Sequence, residues 1–367
     1  MTIPPFRADH VGGLVRPERL CRARKAFHEN RIIDVEELRD AEDAAIREAV
    51  RYQEDSGLPS ATDGGFRRSF THLDFIGELE GIQLEPRREE ISVHGAFLPS
   101  MVPTLVDRLA FPRDHAALRD FGFLSAATRA LPKVSVPSPA TCHALIAVSD
   151  IHSKRYREEP EALFEDLARS WASAVTALYD AGCRYLQFDD VDLAHLCRVG
   201  PRATMIAAGG DPDRLLMSYA EMIGTALRHR PADMVVAMHL DSGDTVPDWY
   251  EGAFDMVFNA TGVDVFLMPL SSSQAGRFDP LRALAKGSQR VMAGLIDARG
   301  RDLERLDELR RALDAASRIV DLEQLGIAPN RSFAVDEGVG EISIDDERRK
   351  LDLVVRTAEA VWGGVDR

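Results

Sequence analysis

Short apolar strands alternate with amphipathic helices along almost all of this 367-residue chain, and that alternation restricts the fold more than any other feature. Helical spacing of apolar residues begins at Val35 and meets a stop at Gly57; a strand-like SATDGG follows. A long amphipathic helix runs on from Glu158, with a proline near its start and a stop at Gly182, and leads into the buried strand CRYLQFDD. The pattern then continues through helix DPDRLLMSYAEMIGTALRHR, strands DMVVAMHL and VDVFLMPL, helix DPLRALAKG, strand RVMAGLID and helix LERLDELRRALDAASRIV. A strand and loop, GIAPNRSFAV, and the helix DDERRKLDLVVRTAEAVWGG complete it. Repeated strand–helix units with short buried strands imply a parallel sheet. Alternation this sustained favours a closed (β/α)8 TIM barrel over a doubly wound sheet, and no GxGxxG stands at a strand-to-helix turn to argue for a dinucleotide fold. The expectation is an α/β protein: one TIM-barrel domain over 1–367, with an N-terminal helical extension, about 14–57, packed on it.

Composition bounds the partners. At 45% hydrophobic and 29% charged residues the chain can bury a large core. Its net charge of −15 repels phosphate backbones, so nucleic acid is not an expected partner. The opening MTIPPFRADHVGG carries proline and charge where a signal peptide needs an apolar run, and no stretch approaches the ~18 apolar residues of a membrane span. Cys21, Cys142, Cys183 and Cys197 form no CxxC pair and read as free thiols of a cytoplasmic protein. A small-molecule substrate is the expected partner, with a homodimer as the assembly allowed for.

The polar residues gather just after strand ends: Asp63, Asp189, Asp190, His239, Asp241 and Asp297. In a barrel that is the C-terminal face, where active sites form. Neighbouring strand residues point opposite ways, so one of Asp189 and Asp190 enters the mouth and the other caps the next helix. His195, just beyond, reads as a structural residue of the outer helix. Asp63 precedes two glycines that can take positive φ, and Arg67 and Arg68 follow with the means to bind a carboxylate or phosphate. His10 and Arg16 flank a small-residue turn near the start. His239, Asp241 and Asp244 fall within one short stretch, HLDSGD. Three readings of it stand open: a His-x-Asp metal pair completed from elsewhere, a proton-transferring histidine oriented by a carboxylate, or acids that only cap a helix.

From end to end these segments resemble the cobalamin-independent methionine synthase family in its short single-barrel form. The resemblance rests on RADHVGGLVRP, TDGGFRRSF, EDLARSWASAVTALYDAGCRYLQFDD, MHLD, VDVFLMPLSSSQAGRFDPLRAL, VMAGLIDARGRDLE, IAPNRSFAV and KLDLVVRTAEAVWG together. It implies a (β/α)8 barrel and methyl transfer from a folate to a thiol that zinc activates. It also implies four zinc ligands: the His and Cys of an HxC motif, a Glu ending the next strand and a late Cys. Those positions hold His239, Asp241, Met268 and Arg331 here, so His239 alone is unchanged. Two contacts to an amino-acid acceptor change as well, with Gly13 where the family has serine and Gly65 where it has glutamate, while Asp189 is kept.

The expectation is therefore a repurposed enzyme without zinc or another cofactor. His239 would move a proton with Asp241 or Asp189, and Arg331, with Arg67, would clamp an anionic group. His10, Gly13, Asp63, Gly65 and Met268 would complete the substrate pocket. Lyase, transferase and hydrolase reactions fit. Two alternatives are methyl or alkyl transfer to a thiol with a substitute divalent metal at His239 and Asp241, and a non-catalytic descendant that binds a ligand.

Overall fold

The computed structural model describes residues 4–28, 32–86, 92–93, 96–97, 101–147, 153–243, 247–270, 278–333 and 342–366. Seven parallel strands form one sheet in chain order: β1 (Ser60–Ala61), β2 (Leu131–Pro137), β3 (Tyr185–Asp190), β4 (Val235–Leu240), β5 (Val265–Pro269), β6 (Arg290–Ile296) and β7 (Leu325–Pro329). The segment 6–11 takes the remaining place in the ring. Ala8 bridges in parallel to Ile327 of β7, with Ile327 N–H donating to the Arg7 carbonyl at 2.8 Å. On its other side the Thr62 hydroxyl, just past β1, donates to the Gly12 carbonyl at 2.7 Å. The sheet thus closes into an α/β TIM barrel of eight positions.

The helices follow from caps and amphipathic faces. Val35–Asp55 starts on a capping box in which Asp34 accepts from the Glu37 N–H and Glu37 answers at the Asp34 N–H. Glu161–Asp180 and Pro212–Leu227 bury one face each, Trp171 and Val175 on the first and Leu216 and Ile223 on the second. Ile344–Trp362 begins at a second capping box, Ser343 with Asp346, and ends at Gly363, whose φ of 81° is the left-handed conformation glycine favours. The stretch DPLRALAKG forms only a 3-10 turn, Asp279–Ala283. Pro280 there has no N–H to donate, and so short a segment cannot repay helix nucleation.

The elements not foreseen from the sequence include short helices such as Pro139–Ala147, Val199–Ala207 and Phe254–Ala260, and three further features. An antiparallel ribbon pairs Glu80–Pro86 with Met101–Ala110, the helix Ala116–Ala127 follows it, and β2 carries two prolines and Lys133 where an apolar run would mark a strand.

Glu347, on the last helix, ties the N-terminal loop to the barrel. It accepts from the Val15 N–H and the Tyr52 hydroxyl, both at 2.6 Å, and so fixes the chain beside Gly13. Burial pushes its carboxyl up to about 8 despite the Tyr52 and Val15 donors. The folded state therefore holds a proton that the unfolded chain releases near the ordinary value of 4.5. Stability from this group is complete below that value and is lost as pH rises through about 8, by at most about 1.4 kcal/mol per pH unit. Urea unfolding of the wild type between pH 5 and pH 8.5 is expected to fall in stability more steeply than Glu347→Gln; parallel pH dependences would refute the assignment.

Candidate active site

Alternation along the strands decides which side chains reach the barrel interior. On β3, Tyr185, Gln187 and Asp189 face inward. Asp190 faces outward, where it accepts the Leu193 N–H at 2.7 Å at the start of the next helix. Burial pushes its carboxyl up to about 6. The division of labour expected for this aspartate pair is the one observed.

The floor is ionic. Lys133 Nζ, with no exposed surface, donates to both Asp9 carboxylate oxygens at 2.9 and 3.0 Å and to the His10 carbonyl at 2.7 Å. The Tyr185 hydroxyl donates to the same carboxylate. Desolvation lowers the Lys133 ammonium and raises the Tyr185 phenol, so the phenol stays protonated. Gln187 bridges upward, donating to the Val11 carbonyl at 2.8 Å and to Asp189 Oδ1 at 2.6 Å.

Above this floor, Asp189 and His239 are register partners on β3 and β4. His239 Nδ1 lies 3.9 Å from Asp189 Oδ1. The imidazole is 3% exposed, and its Nε2 has no hydrogen-bond partner among the described residues. Arg68 approaches from the other side, with Nη1 4.0 Å from Asp189 Oδ2 and Nη2 donating to the Ser135 carbonyl at 2.6 Å.

Asp241 continues the ladder through its N–H to the Asp190 carbonyl at 2.9 Å and accepts the Gly243 N–H at 2.9 Å. Burial alone would raise its carboxyl. His239, the Gly243 N–H, Arg331 and His72 outweigh burial and hold it below the ordinary range. Those groups come from β4 and from the loops after β1, β4 and β7, and all act on one carboxylate. Arg331 is 3% exposed, and the loop that carries it is pinned by Phe333 N–H to the Gly13 carbonyl at 3.0 Å.

The loop after β1 forms the rim. Gly64 and Gly65 both have φ of 69°, Asp63 accepts the Gly65 N–H at 2.8 Å, and Arg16 donates to the Gly65 and Arg68 carbonyls at 3.2 and 2.6 Å. A glutamate at Gly65 would have to adopt a left-handed backbone. Gly13, Asp63, Gly65, Arg68, Lys133 and Asp189 surround a cavity of about 30 Å³, room for one water.

Of the residues expected to form the site, the structure brings together Gly13, Asp63, Gly65, Asp189, His239, Asp241 and Arg331. His10 lies outside the barrel interior, buried against Gln53 and Ser60; desolvation lowers its imidazole to about 4. Met268 packs with Phe266 in the cluster between sheet and helices, whereas Leu267 points inward. Arg67 turns from the mouth toward Glu42, Asp43 and Asp120. Asp297 shapes its own loop by accepting the Arg299 and Gly300 N–H groups, each at 3.1 Å. Asp244 lies outside the described residues. The sequence did not single out Asp9, Lys133, Gln187 or His72. The signal for Gln187 was present, an amide at an inward position of a strand read as buried, whereas Lys133 lies on a strand that the periodicity did not mark.

No family model matches the chain. The uncharacterized protein YxjH of Bacillus subtilis (strain 168) is 33% identical over 366 residues, spanning 98% of this chain and 95% of that protein. Among solved structures, a Listeria monocytogenes chain described as a candidate vitamin-B12-independent methionine synthase is 30% identical. It superposes with a TM-score of 0.81 over 99% of this chain and 100% of its own. A B12-independent methionine synthase from Shewanella sp. W3-18-1, solved with selenomethionine, matches at a TM-score of 0.72 and 19% identity over 97% of this chain and 98% of its own; it speaks to the fold.

Replacing Lys133 by methionine strands the Asp9 carboxylate. Urea unfolding is expected to register a loss of about 3–5 kcal/mol, partly recovered when Asp9→Asn is added. A loss below about 1 kcal/mol would mean that the pair does not hold the floor.

Proposed function

This chain belongs to the cobalamin-independent methionine synthase family, and on that premise we propose that it is an enzyme whose metal site has been rebuilt for acid–base chemistry on a small anionic substrate. The carrying observation is the buried His239, set beside Asp189 and with Nε2 unpaired among the described residues.

The donor set does not suit the family's zinc. His239 and Asp241 are acceptable ligands, but Met268 packs in the outer cluster and Arg331 carries a permanent positive charge. Among the described residues no three His, Cys, Asp or Glu side chains are grouped to hold a metal. A guanidinium in place of the ion keeps a cation in the pocket and supplies directed donors for a carboxylate or enolate.

In this reading Arg331 and Arg68 hold the substrate anion. Asp189 orients the His239 ring through Nδ1, and Nε2 takes a proton from the substrate or returns one to it. Asp241, kept ionised by His239 and Arg331, stabilises the imidazolium that forms. Lyase- and transferase-type steps both fit this group of residues.

The second reading keeps methyl transfer to a thiol, and the description of the Listeria relative favours it. Metal analysis after zinc loading, with assays for methionine formation from methylfolate and homocysteine, separates the two. The acid–base reading predicts less than one tightly bound zinc per chain and no methionine. It also predicts that His239→Gln lowers turnover of a carboxylate substrate by about 10²–10⁴-fold, and that Arg331→Met weakens binding of small carboxylates. Stoichiometric zinc with methionine formation would replace it by the second reading.

A further inference from the structure

The barrel wall is weakly paired at one seam, which Arg68 bridges by donating to the Ser135 carbonyl at 2.6 Å and the Ser135 hydroxyl at 3.2 Å. β1 pairs with β2 at two positions only, Ser60 with Leu131 and Ala61 with Pro132. Beyond them β2 runs on to Pro137, while the other chain turns away through Gly64 and Gly65. Residues 133–137 then line a cavity of about 460 Å³ between the barrel and the helices Val35–Asp55 and Ala116–Ala127. Asp63, Arg68, Thr71, Lys133 and Ser135 line both this cavity and the small one at the mouth, so the two share a boundary.

Arg67 stands in the wall of the side cavity with its side chain 7% exposed. Its Nη2 is paired with Asp43, and its guanidinium carbon sits 4.6 Å from the Phe123 ring centre. Its Nε is 3.5 Å from Asp120 and 3.7 Å from Glu42, and Glu42 is already bonded to Arg24 at 2.6 Å. Neither Nε nor Nη1 has a hydrogen-bond acceptor among the described residues. A buried guanidinium held at one end, with donors unused at the other, is short of an acceptor. Arg39, Arg67, Arg68, Arg119 and Lys133 share the wall with Glu42, Asp63, Asp74, Glu78 and Asp120, equal numbers of the two signs, so one bound carboxylate adds a single negative charge.

We propose that the side cavity is a second substrate pocket. The reactive end of an elongated dicarboxylic acid lies at the mouth, its chain passes the seam beside Arg68 and Ser135, and its distal carboxylate accepts from Arg67. The inference rests on the anionic-substrate reading above and names the substrate class for that same site.

Calorimetric titration with straight-chain dicarboxylates from succinate to suberate tests it, with monocarboxylates of equal length as controls. The wild type is expected to bind more tightly, by tenfold or more, once the diacid is long enough to cross the seam, and the monocarboxylates are expected to show no such rise. Arg67→Lys keeps the charge but removes the planar donors. Ala117→Trp fills the cavity from the helix wall. Both are expected to erase the rise and leave succinate binding unchanged, with thermal melts confirming that each variant is folded. Affinity that does not depend on diacid length, a matching rise for monocarboxylates, or a rise that either folded variant leaves intact would overturn the second pocket while the mouth reading stands. No binding by any of these acids would overturn both.

Discussion

The contact on which the site depends is the ion pair between Asp9 and Lys133, sealed by the Tyr185 hydroxyl at the bottom of the barrel. It joins the N-terminal segment to β2 and β3 across the barrel interior, where a lone charge would be strongly disfavoured. Because all three groups are satisfied, the layer above can be polar as well. Gln187 carries the hydrogen bonding up to Asp189, whose Oδ1 lies 3.9 Å from His239 Nδ1. Polar order therefore runs from floor to mouth through interiors that other barrels fill with branched apolar side chains.

The helical and central-strand pattern was legible because it rests on periodicity, which needs no partner to be seen. Val35–Asp55, Glu161–Asp180, β3, β4, β5 and β6 all announce themselves this way. β2 did not, because its inward positions hold a lysine whose partner stands far away in sequence at Asp9. That the aspartates at 189 and 190 part company could be read from alternation, while the choice of Asp189 for the mouth came from the family resemblance. Arg67 and Arg68 could not be told apart in this way. They are neighbours in a loop, where no period says which guanidinium turns to the mouth, and the acids that capture Arg67 lie on two separate helices. His72 was hidden for the same reason: its electrostatic relation to Asp241 spans the mouth and leaves no trace in local spacing.

In the proposed acid–base reading, Asp241 and Arg331 form one chemical unit. Asp241 and Arg331 are charges of opposite sign that feel each other, and each would be costly to bury alone. A cysteine-to-arginine change without the nearby carboxylate would leave a cation in a nearly closed space. In that reading the pair keeps the mouth polar and offers no soft thiolate donor for zinc.

The pairing of Asp189 with His239 has a broader meaning. The two residues face each other because adjacent parallel strands are hydrogen-bonded in that register, and the loops above them take no part in setting the separation. The sheet acts as a ruler, so the loops above it can be exchanged while the spacing of Asp189 and His239 is kept. Such a scaffold leaves the rim loops free to change without moving the two side chains whose separation the strands set.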